Sequence, residues 1–289
     1  MARRLPHNLE MLRSAFDPKR IGDILPGDTF ELDGIEFVCA YQPESTATRF
    51  FIVKSPALVD RYLDLCRRFE GARIVELGIA EGGSTALMAL AARPAALVAV
   101  DLEEQRLEAL DEFVAARGLG GQVLAHYGVD QADRATLGRL VDEDLGGEPI
   151  DLVVDDCSHV LGPTRSSFET LFPRLRPGGL YVIEDWNADH LMRVAVADAV
   201  RAELEAGDES LRTAIRESLA NAAEPEARRE PLSQLALEFV LARAQSGDVI
   251  DEVVVDEFWI TVRRGPGELD PDGFRLDDAY TDYFGLKGW

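Results

Sequence analysis

The sequence of 289 residues lacks the features that mark membrane proteins and disulfide-rich proteins. No stretch reaches the roughly 18 to 20 consecutive apolar residues of a membrane span, and residues 1–7 lack the apolar core of a signal peptide. The three cysteines, Cys39, Cys66 and Cys157, form no CxxC pair, so neither a disulfide framework nor a thiolate zinc site is predicted. We therefore expect a cytoplasmic protein with reduced thiols and no membrane partner.

Basic residues are also few. Thirty Lys and Arg stand against 53 Asp and Glu, which gives a net charge of -23. Such a charge repels a phosphate backbone unless the basic residues are clustered, and the sequence contains no basic cluster. Nucleic acid is therefore not expected as a partner. The hydrophobic content of 46% is ample for the core of one large domain or two small ones.

Strand and helix patterns alternate from Arg73 onward. Helical patterns separate five apolar runs typical of buried strands, near residues 73–77, 96–101, 122–127, 150–155 and 179–184. Each interval is long enough for a right-handed crossover between parallel strands. The sequence therefore predicts an α/β fold with a doubly wound, Rossmann-like sheet.

Residues 1–70 precede this alternation and are predicted to form a leader that caps the sheet. The dipeptide Asp33-Gly34 lies between alternating apolar and polar residues, which predicts a tight hairpin. A polar, loop-like segment follows at 43–49, and Ser55-Pro56 then opens an amphipathic helical pattern.

The segments after the fifth strand are less regular. Residues of about 187–247 read as a largely helical insert, expected to serve as a lid, an oligomer contact or both. Residues 249–255 and 258–262 predict a terminal strand pair, and residues 265–289 a tail that packs back. The leader, a main domain over 71–264 and this tail are the expected parts of the chain.

A glycine-rich turn follows the first strand of the sheet. Its spacing is Glu-x-Gly-x-x-x-Gly-Gly, with the candidate residues Glu76, Gly78, Gly82 and Gly83. The glycines permit a tight turn and close backbone approach, and Ser84 falls in the first helical turn. About 20 residues on, Asp101 ends the next strand, where an acidic side chain accepts hydrogen bonds from ribose hydroxyls. These features predict a ribose-containing ligand, although Asp101 also fits the cap of a helix beginning at Leu102.

At these residues the chain resembles the class I S-adenosylmethionine-dependent methyltransferases. Their motif matches Glu76, Gly78, Gly82 and Asp101, and Gly128-Val129-Asp130-Gln131-Ala132-Asp133 is similar to their Gly-Asp-Gln-Ser-Asp segment, with Val129 and Ala132 departing from it. The resemblance implies a seven-stranded sheet that ends in an antiparallel pair. It implies S-adenosylmethionine as cofactor, bound by Glu76, Gly78, Glu81, Gly82, Gly83, Ser84, Asp101, Asp130 and Gln131, with Asp155 in support.

Two strands of the predicted sheet end in paired carboxylates, Asp155-Asp156 and Glu184-Asp185. In the methyltransferase strand order these strands are neighbours, so the two pairs are expected about 5 Å apart, one ladder spacing. Carboxylates this close repel one another unless a cation binds, and an all-oxygen set favours Mg²⁺, Mn²⁺ or Ca²⁺. Helix capping or solvation explains one such pair alone. Two pairs at adjacent strand ends favour the metal.

His159 lies three residues beyond Asp156, and an imidazole with a pKa near neutrality suits a general base. His190 is the second candidate for this role. Cys157 is interpreted as a packing residue, because no base is locally available to activate its thiol.

The Asp156-x-x-His159 motif, followed by Asp185 on the next strand end, resembles more narrowly the macrolide-sugar O-methyltransferases of the macrocin and mycinamicin type and the cephalosporin-hydroxylase-like proteins. The resemblance implies Mg²⁺ bound by Asp156, Glu184 and Asp185, with His159 as the catalytic base. It also implies a glycosylated small-molecule acceptor and a homo-oligomer, a dimer or tetramer.

We therefore expect a Mg²⁺-dependent O-methyltransferase that acts on a hydroxyl of a sugar vicinal diol in a small-molecule natural product. Two alternatives stay open at this point. The acceptor of a metal-dependent enzyme could instead be a catechol, an acid or a lipid. A protein of another class, a non-catalytic S-adenosylmethionine-binding partner, also fits the large insert and the acidic composition.

Overall fold

The computed structural model describes residues 27–40, 45–191, 230–283 and 285. Its strands are β1 Thr29–Leu32, β2 Ile35–Cys39, β3 Arg49–Ile52, β4 Arg73–Leu77, β5 Ala96–Asp101, β6 Val123–Tyr127, β7 Ile150–Asp155, β8 Leu175–Glu184, β9 Ile250–Val255 and β10 Trp259–Arg264. Its α-helices are α1 Pro56–Arg68, α2 Gly83–Ala91, α3 Glu108–Ala116, α4 Arg134–Asp144, α5 Leu161–Leu171 and α6 Ser233–Gln245.

Seven strands form the central sheet, in the order β6-β5-β4-β7-β8-β10-β9. The first five run parallel, while β10 is antiparallel to both β8 and β9. This topology confirms the predicted α/β fold, the five central strands and the terminal antiparallel pair. The fifth strand is longer than predicted, since it begins at Leu175 rather than near residue 179.

Alternate residues of the central strands pack into two hydrophobic layers, one on each face of the sheet. In β4, Ile74 joins the layer that contains Leu152 of β7, and Val75 joins the opposite layer with Val153. Both faces of these strands are covered, which is why their sequences read as nearly continuous apolar runs. The parallel register places Asp155 opposite Leu77 on one side and Ile183 on the other, so the carboxyl ends of β4, β7 and β8 lie together.

The predicted hairpin is confirmed in the leader, where β1 and β2 pair around Asp33 and Gly34, both at positive φ. A third strand, β3, was not predicted. It pairs parallel to β2 and lies directly after the segment interpreted as a loop. Helix α1 begins where predicted, and the Ser55 hydroxyl caps it by accepting from the amide of Leu58 at 3.3 Å.

The leader packs on the same hydrophobic layer as the central sheet. Phe50 of β3 contacts Phe113 of α3 edge to face, with ring centroids 5.5 Å apart. Residues Phe37, Ile52 and Tyr62 are fully or almost fully buried in that layer. The leader is therefore continuous with the core beside the strand ends that carry the candidate site.

At the other end of the chain, α6 lies within the predicted helical insert, whose residues 192–229 are outside the described part. The predicted packing of the tail is seen at Phe274, Leu276 and Tyr280, which are buried. Within the described residues, no helix combines the length and the apolar character needed to cross a membrane.

Candidate active site

The turn after β4 runs against the end of β7. Gly78 has φ +100°, and a Cβ built on it would lie 2.2 Å from the carbonyl oxygen of Asp156. The amide of Asp156 in turn donates to the carbonyl of Leu77 at 2.9 Å. Glycine is required at position 78 because only the absence of a side chain allows this approach. The glycine turn and the predicted metal-binding strand end are thus one joined structure.

The next two glycines face the protein. A Cβ on Gly82, which has φ +76°, would lie 2.8 Å from a methyl group of Leu107, and one on Gly83 would lie 2.4 Å from the carbonyl oxygen of Phe51 in β3. Both residues are buried, as are the predicted cofactor residues Glu81 and Ser84 beside them. Gly82 and Gly83 therefore allow α2 to pack closely against the leader and the segment before α3.

Glu76 supports the turn from inside the protein. Its buried carboxylate accepts a hydrogen bond from the Thr85 hydroxyl at 2.6 Å, at the start of α2. Desolvation raises the pKa of Glu76 to about 7, although hydrogen bonds from Ser84 and Thr85 act in the opposite direction. The motif carboxylate thus joins the end of β4 to the helix that follows it.

Asp101 holds the turn from the neighbouring strand. Its Oδ2 accepts from the amides of Ile79 and Ala80, each at 2.9 Å, and its Oδ1 accepts from the amide of Glu103 at 2.8 Å. The alternative interpretation of Asp101 as a helix cap is wrong, because α3 begins only at Glu108. Asp101 instead fixes the backbone of the glycine turn. Its contact with a ribose stays a prediction.

Gln131 and Asp155 belong to a buried polar network under the end of β7. The Gln131 side-chain nitrogen donates to Asp155 Oδ1 at 3.2 Å, and its oxygen accepts from the amide of Ser158 at 3.0 Å. The hydroxyls of Ser167 and Tyr181 donate to Asp155 Oδ2 at 2.7 and 2.8 Å. Burial raises the pKa of Asp155 to about 6, and these hydrogen bonds limit the rise.

This network gives Gln131 and Asp155 a supporting position beneath the surface. Sequence reasoning missed Ser167 and Tyr181, which lie on α5 and β8 and carry no motif. Asp130, in contrast, is exposed, and its Oδ1 accepts only a local bond from the amide of Ala132 among the bonds described. Of the predicted cofactor residues, Gly78, Asp101 and Asp130 are those with accessible surface. The contacts of all of them with the cofactor stay predictions.

Three potential metal ligands converge at the ends of β7 and β8. Asp156, His159 and Asp185 each offer one ligand atom, and these atoms lie within 4.8 Å of one another. The His159 Nε2 atom lies 3.7 Å from Asp156 Oδ1 and 3.9 Å from Asp185 Oδ2. The structure therefore brings Asp156, His159 and Asp185 together, as the sequence predicted.

His159 and Asp185 both adopt left-handed backbone conformations, each with φ +52°. Such conformations are uncommon for residues other than glycine and concentrate at functional sites. Burial favours the neutral imidazole of His159, but the charges of Asp156 and Asp185 outweigh it and raise the pKa above 6.5. The carboxylates thus increase the basicity of the predicted base.

Glu184, the third predicted metal ligand, lies deeper in the protein. Its Oε1 accepts from Lys54 Nζ at 2.5 Å, and its Oε2 accepts from the Tyr62 hydroxyl at 2.8 Å and from the indole nitrogen of Trp259 at 3.2 Å. Desolvation, followed by the charge of Asp156, raises the pKa of Glu184. Both of its oxygens are engaged by protein donors, so its part in a metal site stays a prediction.

Lys54 is a further residue of the site that the sequence did not predict. Its side chain is 3% exposed, and its Nζ also donates to Asp156 Oδ2 at 2.6 Å. The Nζ atom lies 4.7 Å from the ring centroid of Tyr62. Burial opposes the ammonium charge, but Asp156 and Glu184 outweigh it and raise the pKa of Lys54. No local pattern marks a lysine that lies between β3 and the cap of α1.

The other candidates lie in different settings. His190, the second candidate base, contacts the Ser233 hydroxyl through Nε2 at 2.6 Å. Burial, followed by the charge of Asp155, raises the pKa of the Cys157 thiol, which favours the unreactive protonated form. All three cysteines are free, as expected for reduced thiols.

Residues 75–186 match a family model described as a methyltransferase domain. This range holds the glycine turn, Asp101 and the carboxylates of both strand ends. Residues 75–186 are therefore a methyltransferase domain, and the resemblance noted in the sequence is confirmed over this range.

Two relatives place the similarity more narrowly. Over 128 residues, 42% of this chain, it is 35% identical to the 8-demethyl-8-(2-methoxy-alpha-L-rhamnosyl)-tetracenomycin-C 3'-O-methyltransferase of Streptomyces olivaceus, and the match covers 30% of that protein. Over 78 residues, 22% of this chain, it is 40% identical to the mycinamicin VI 2''-O-methyltransferase of Micromonospora griseorubida, with 20% of that protein covered. The chain thus spans less than a third of the length of these relatives.

Among solved structures, the MycE methyltransferase from the mycinamycin biosynthetic pathway, in complex with Mg, SAH and mycinamycin VI, is similar to this chain. The alignment covers 79% of this chain and 50% of that one, at 22% identity and a TM-score of 0.46.

Proposed function

We propose that this protein is an S-adenosylmethionine-dependent O-methyltransferase that acts on a sugar hydroxyl of a small-molecule natural product. The reaction requires a divalent cation, for which Mg²⁺ is our first choice. The observation that carries the proposal is the convergence of Asp156, His159 and Asp185 within 4.8 Å, in a methyltransferase domain. Gly78 brings the cofactor turn against the same strand end.

The names of the relatives support the choice of acceptor. Both are O-methyltransferases, one acting at the 3' position of a rhamnosyl tetracenomycin and one at the 2'' position of mycinamicin VI. A glycosylated acceptor with adjacent hydroxyls is therefore the class of substrate we propose. We also propose a homo-oligomer, a dimer or tetramer, which light scattering of the purified protein tests directly.

The cofactor position follows from the accessible groups of the turn. Gly78 is the point where a ligand can approach the backbone closely, and Asp101 and Asp130 present carboxylates near the ends of β5 and β6. Ligands of open α/β sheets bind outside the carboxyl ends of the strands. S-adenosylmethionine fits this location, with Glu76, Gln131 and Asp155 supporting the walls from inside.

The residues present also fit a divalent cation. Asp156 and Asp185 supply carboxylate oxygens, the donors that Mg²⁺ prefers, and their ligand atoms lie within reach of one another. Glu184 is the adjacent third carboxylate, and its oxygens accept hydrogen bonds from Lys54, Tyr62 and Trp259, with which a metal would share them. A bound cation of this kind acts as a Lewis acid on the acceptor and orients it.

His159 is proposed as the general base. Its Nε2 lies 3.7 Å from Asp156 Oδ1, and its raised pKa makes it a stronger proton acceptor than an isolated imidazole. His159 would take the proton of the acceptor hydroxyl, and bound S-adenosylmethionine would supply the methyl group to that oxygen, with its methyl–sulfur bond broken and S-adenosylhomocysteine as the leaving product. The protein's remaining contribution is alignment, because Asp156, His159 and the glycine turn belong to one joined backbone unit.

The proposal is tested with the purified protein, S-adenosylmethionine and rhamnosyl or macrolide-sugar acceptors. In His159→Ala we expect product formation to fall about 100-fold or more while cofactor affinity, measured by calorimetry, stays within about twofold, since general bases contribute roughly 10² to 10⁴. His190→Ala is the matched control and keeps wild-type turnover. Unchanged turnover in His159→Ala removes His159 as the base.

Removal of metal gives the second test. Exhaustive chelation should abolish turnover, and added Mg²⁺ or Mn²⁺ should restore it. Activity that survives chelation counts against a metal-dependent reaction with any acceptor. Turnover of a catechol, an acid or a lipid, but not of a sugar, would contradict the proposed class of acceptor. Cofactor binding without divalent-cation binding and without turnover identifies a non-catalytic partner instead.

A further inference from the structure

A buried cation already lies among the carboxylates of the candidate site. Lys54 Nζ bonds Asp156 Oδ2 at 2.6 Å and Glu184 Oε1 at 2.5 Å, and both it and Glu184 are 3% exposed at the side chain. When ionised, the proposed metal ligands Asp156, Glu184 and Asp185 carry three negative charges together. Lys54 offsets one of them, so a divalent cation brings the group to neutrality.

Lys54 is held in place by the elements on either side of it and by Tyr62. The residue lies between β3, which pairs with β2, and Ser55, whose side chain caps α1. The ring of Tyr62 packs beside its ammonium, and the same tyrosine donates to Glu184. The lysine therefore reaches the strand ends from a part of the chain that precedes the methyltransferase domain.

We propose that Lys54 is a positioning residue that acts as an internal countercation, holding Asp156 and Glu184 and competing with the divalent metal for their oxygens. The inference rests on the proposed function, because it takes these carboxylates as metal ligands. A metal that takes Asp156 Oδ2 or Glu184 Oε1 competes with the ammonium for that oxygen. Lys54 thereby weakens metal binding and keeps the carboxylates ordered when no metal is bound.

The direct test is Lys54→Gln, which removes the charge and keeps a hydrogen-bond donor. Mg²⁺ and Mn²⁺ binding to the full chain is measured by titration calorimetry at about pH 8, well above the reference pKa of a free carboxyl group. We expect the variant to bind Mn²⁺ at least about tenfold more tightly, since repulsion between two cations this close exceeds the roughly 1.4 kcal/mol of a tenfold change. S-adenosylmethionine affinity serves as the check on folding.

The matched control is Arg61→Gln. Arg61 lies on α1, close in sequence to Lys54, and its substitution removes the same charge. Its guanidinium, however, pairs with Asp256 at 2.6 Å. We expect its metal affinity to stay within about threefold of wild type, because the loss of a surface-near charge is screened. A gain in affinity equal to that of Lys54→Gln would show a general charge effect and overturn the proposal.

A second measurement uses the wild-type protein and needs no variant at this position to fold. The chain contains lysine only at positions 19, 54 and 287. With ¹³C-labelled lysine, the side-chain signal of Lys54 is assigned by Lys19→Arg and Lys287→Arg. Saturation with Mg²⁺ should shift the Lys54 signal and leave the other two in place.

The outcomes are separable. Metal binding to the wild type, with tighter binding by Lys54→Gln and a shifted Lys54 signal, supports the inference. Metal binding to the wild type with unchanged or weaker binding by the variant and an unmoved signal overturns it and leaves the proposed function intact. Absence of metal binding by both proteins overturns both. Binding by Lys54→Gln alone supports the inference and identifies Lys54 as the cation that replaces the metal.

Discussion

Gly78 is the residue at which the glycine turn after β4 and the carboxylate cluster contact each other, and Gly78→Ala tests that connection. The added Cβ would lie 2.2 Å from the carbonyl oxygen and 2.9 Å from the carbonyl carbon of Asp156, both backbone atoms that cannot rotate away. The backbone of β4 or β7 must therefore shift, and the residue must also hold φ +100° with a side chain.

The magnitude has two parts. A left-handed conformation costs a non-glycine residue about 1 to 2 kcal/mol, and overpacking in a closely packed region costs about 1 to 3 kcal/mol. We therefore expect Gly78→Ala to lower the free energy of unfolding by roughly 3 kcal/mol. Because Asp156 must move with the clash, metal affinity should fall together with cofactor affinity.

Gly71→Ala is the matched control. Gly71 has φ +72°, and a Cβ built on it has no atom within 4 Å, so this change carries the conformational cost alone. The assay is chemical denaturation of both variants, followed by calorimetry with S-adenosylmethionine and Mn²⁺. An equal loss of stability in the two variants, or an unchanged metal affinity in Gly78→Ala, would refute the reasoning.

Two further predictions concern buried charges. Because the pKa of Glu76 is raised from 4.5 to about 7, the folded protein holds this proton more tightly than the unfolded chain, so stability from this group falls as pH rises between those values. The free energy of unfolding of the wild type, measured relative to that of Glu76→Gln, should therefore fall by about 2 kcal/mol between roughly pH 5.5 and pH 8. A difference between the two proteins that stays constant with pH contradicts the raised pKa. Arg165 donates to Glu238, which is fully buried. Arg165→Met should lower the free energy of unfolding by about 3 to 5 kcal/mol by leaving that charge unpaired, and the double variant with Glu238→Leu should recover most of the loss.

The sheet was predictable from the sequence because strands buried on both faces carry nearly continuous apolar runs. That pattern located β4, β5, β6 and β7 within a residue and placed Asp156 and Asp185 at strand ends. The expectation that these two strands are neighbours came from the resemblance to the methyltransferases, and the sheet order confirms it. The short strand β3 was not predictable in the same way. It has only four residues, and it is a strand because it pairs with β2, a contact that its own sequence does not indicate.

Long-range contacts account for the rest of what the sequence did not predict. Lys54 meets Asp156 and Glu184 across 102 and 130 positions of the chain. Gly82 and Gly83 matched a cofactor motif, but their surroundings in the fold supply a packing reason that the motif does not contain. Periodicity reports which face of an element is buried, and it carries no information on which distant side chain completes a site.

The contact between Gly83 and Phe51 has a consequence for how this protein is divided into exchangeable parts. The methyltransferase match begins at residue 75, yet the helix that follows the glycine turn lies against β3, and the ammonium among the strand-end carboxylates comes from residue 54. A hybrid protein whose junction lies near residue 71 would contain the glycine motif without β3 and Lys54, which contact it and the carboxylates. Successful grafting, and inheritance of this site by recombination, require a junction upstream of β1.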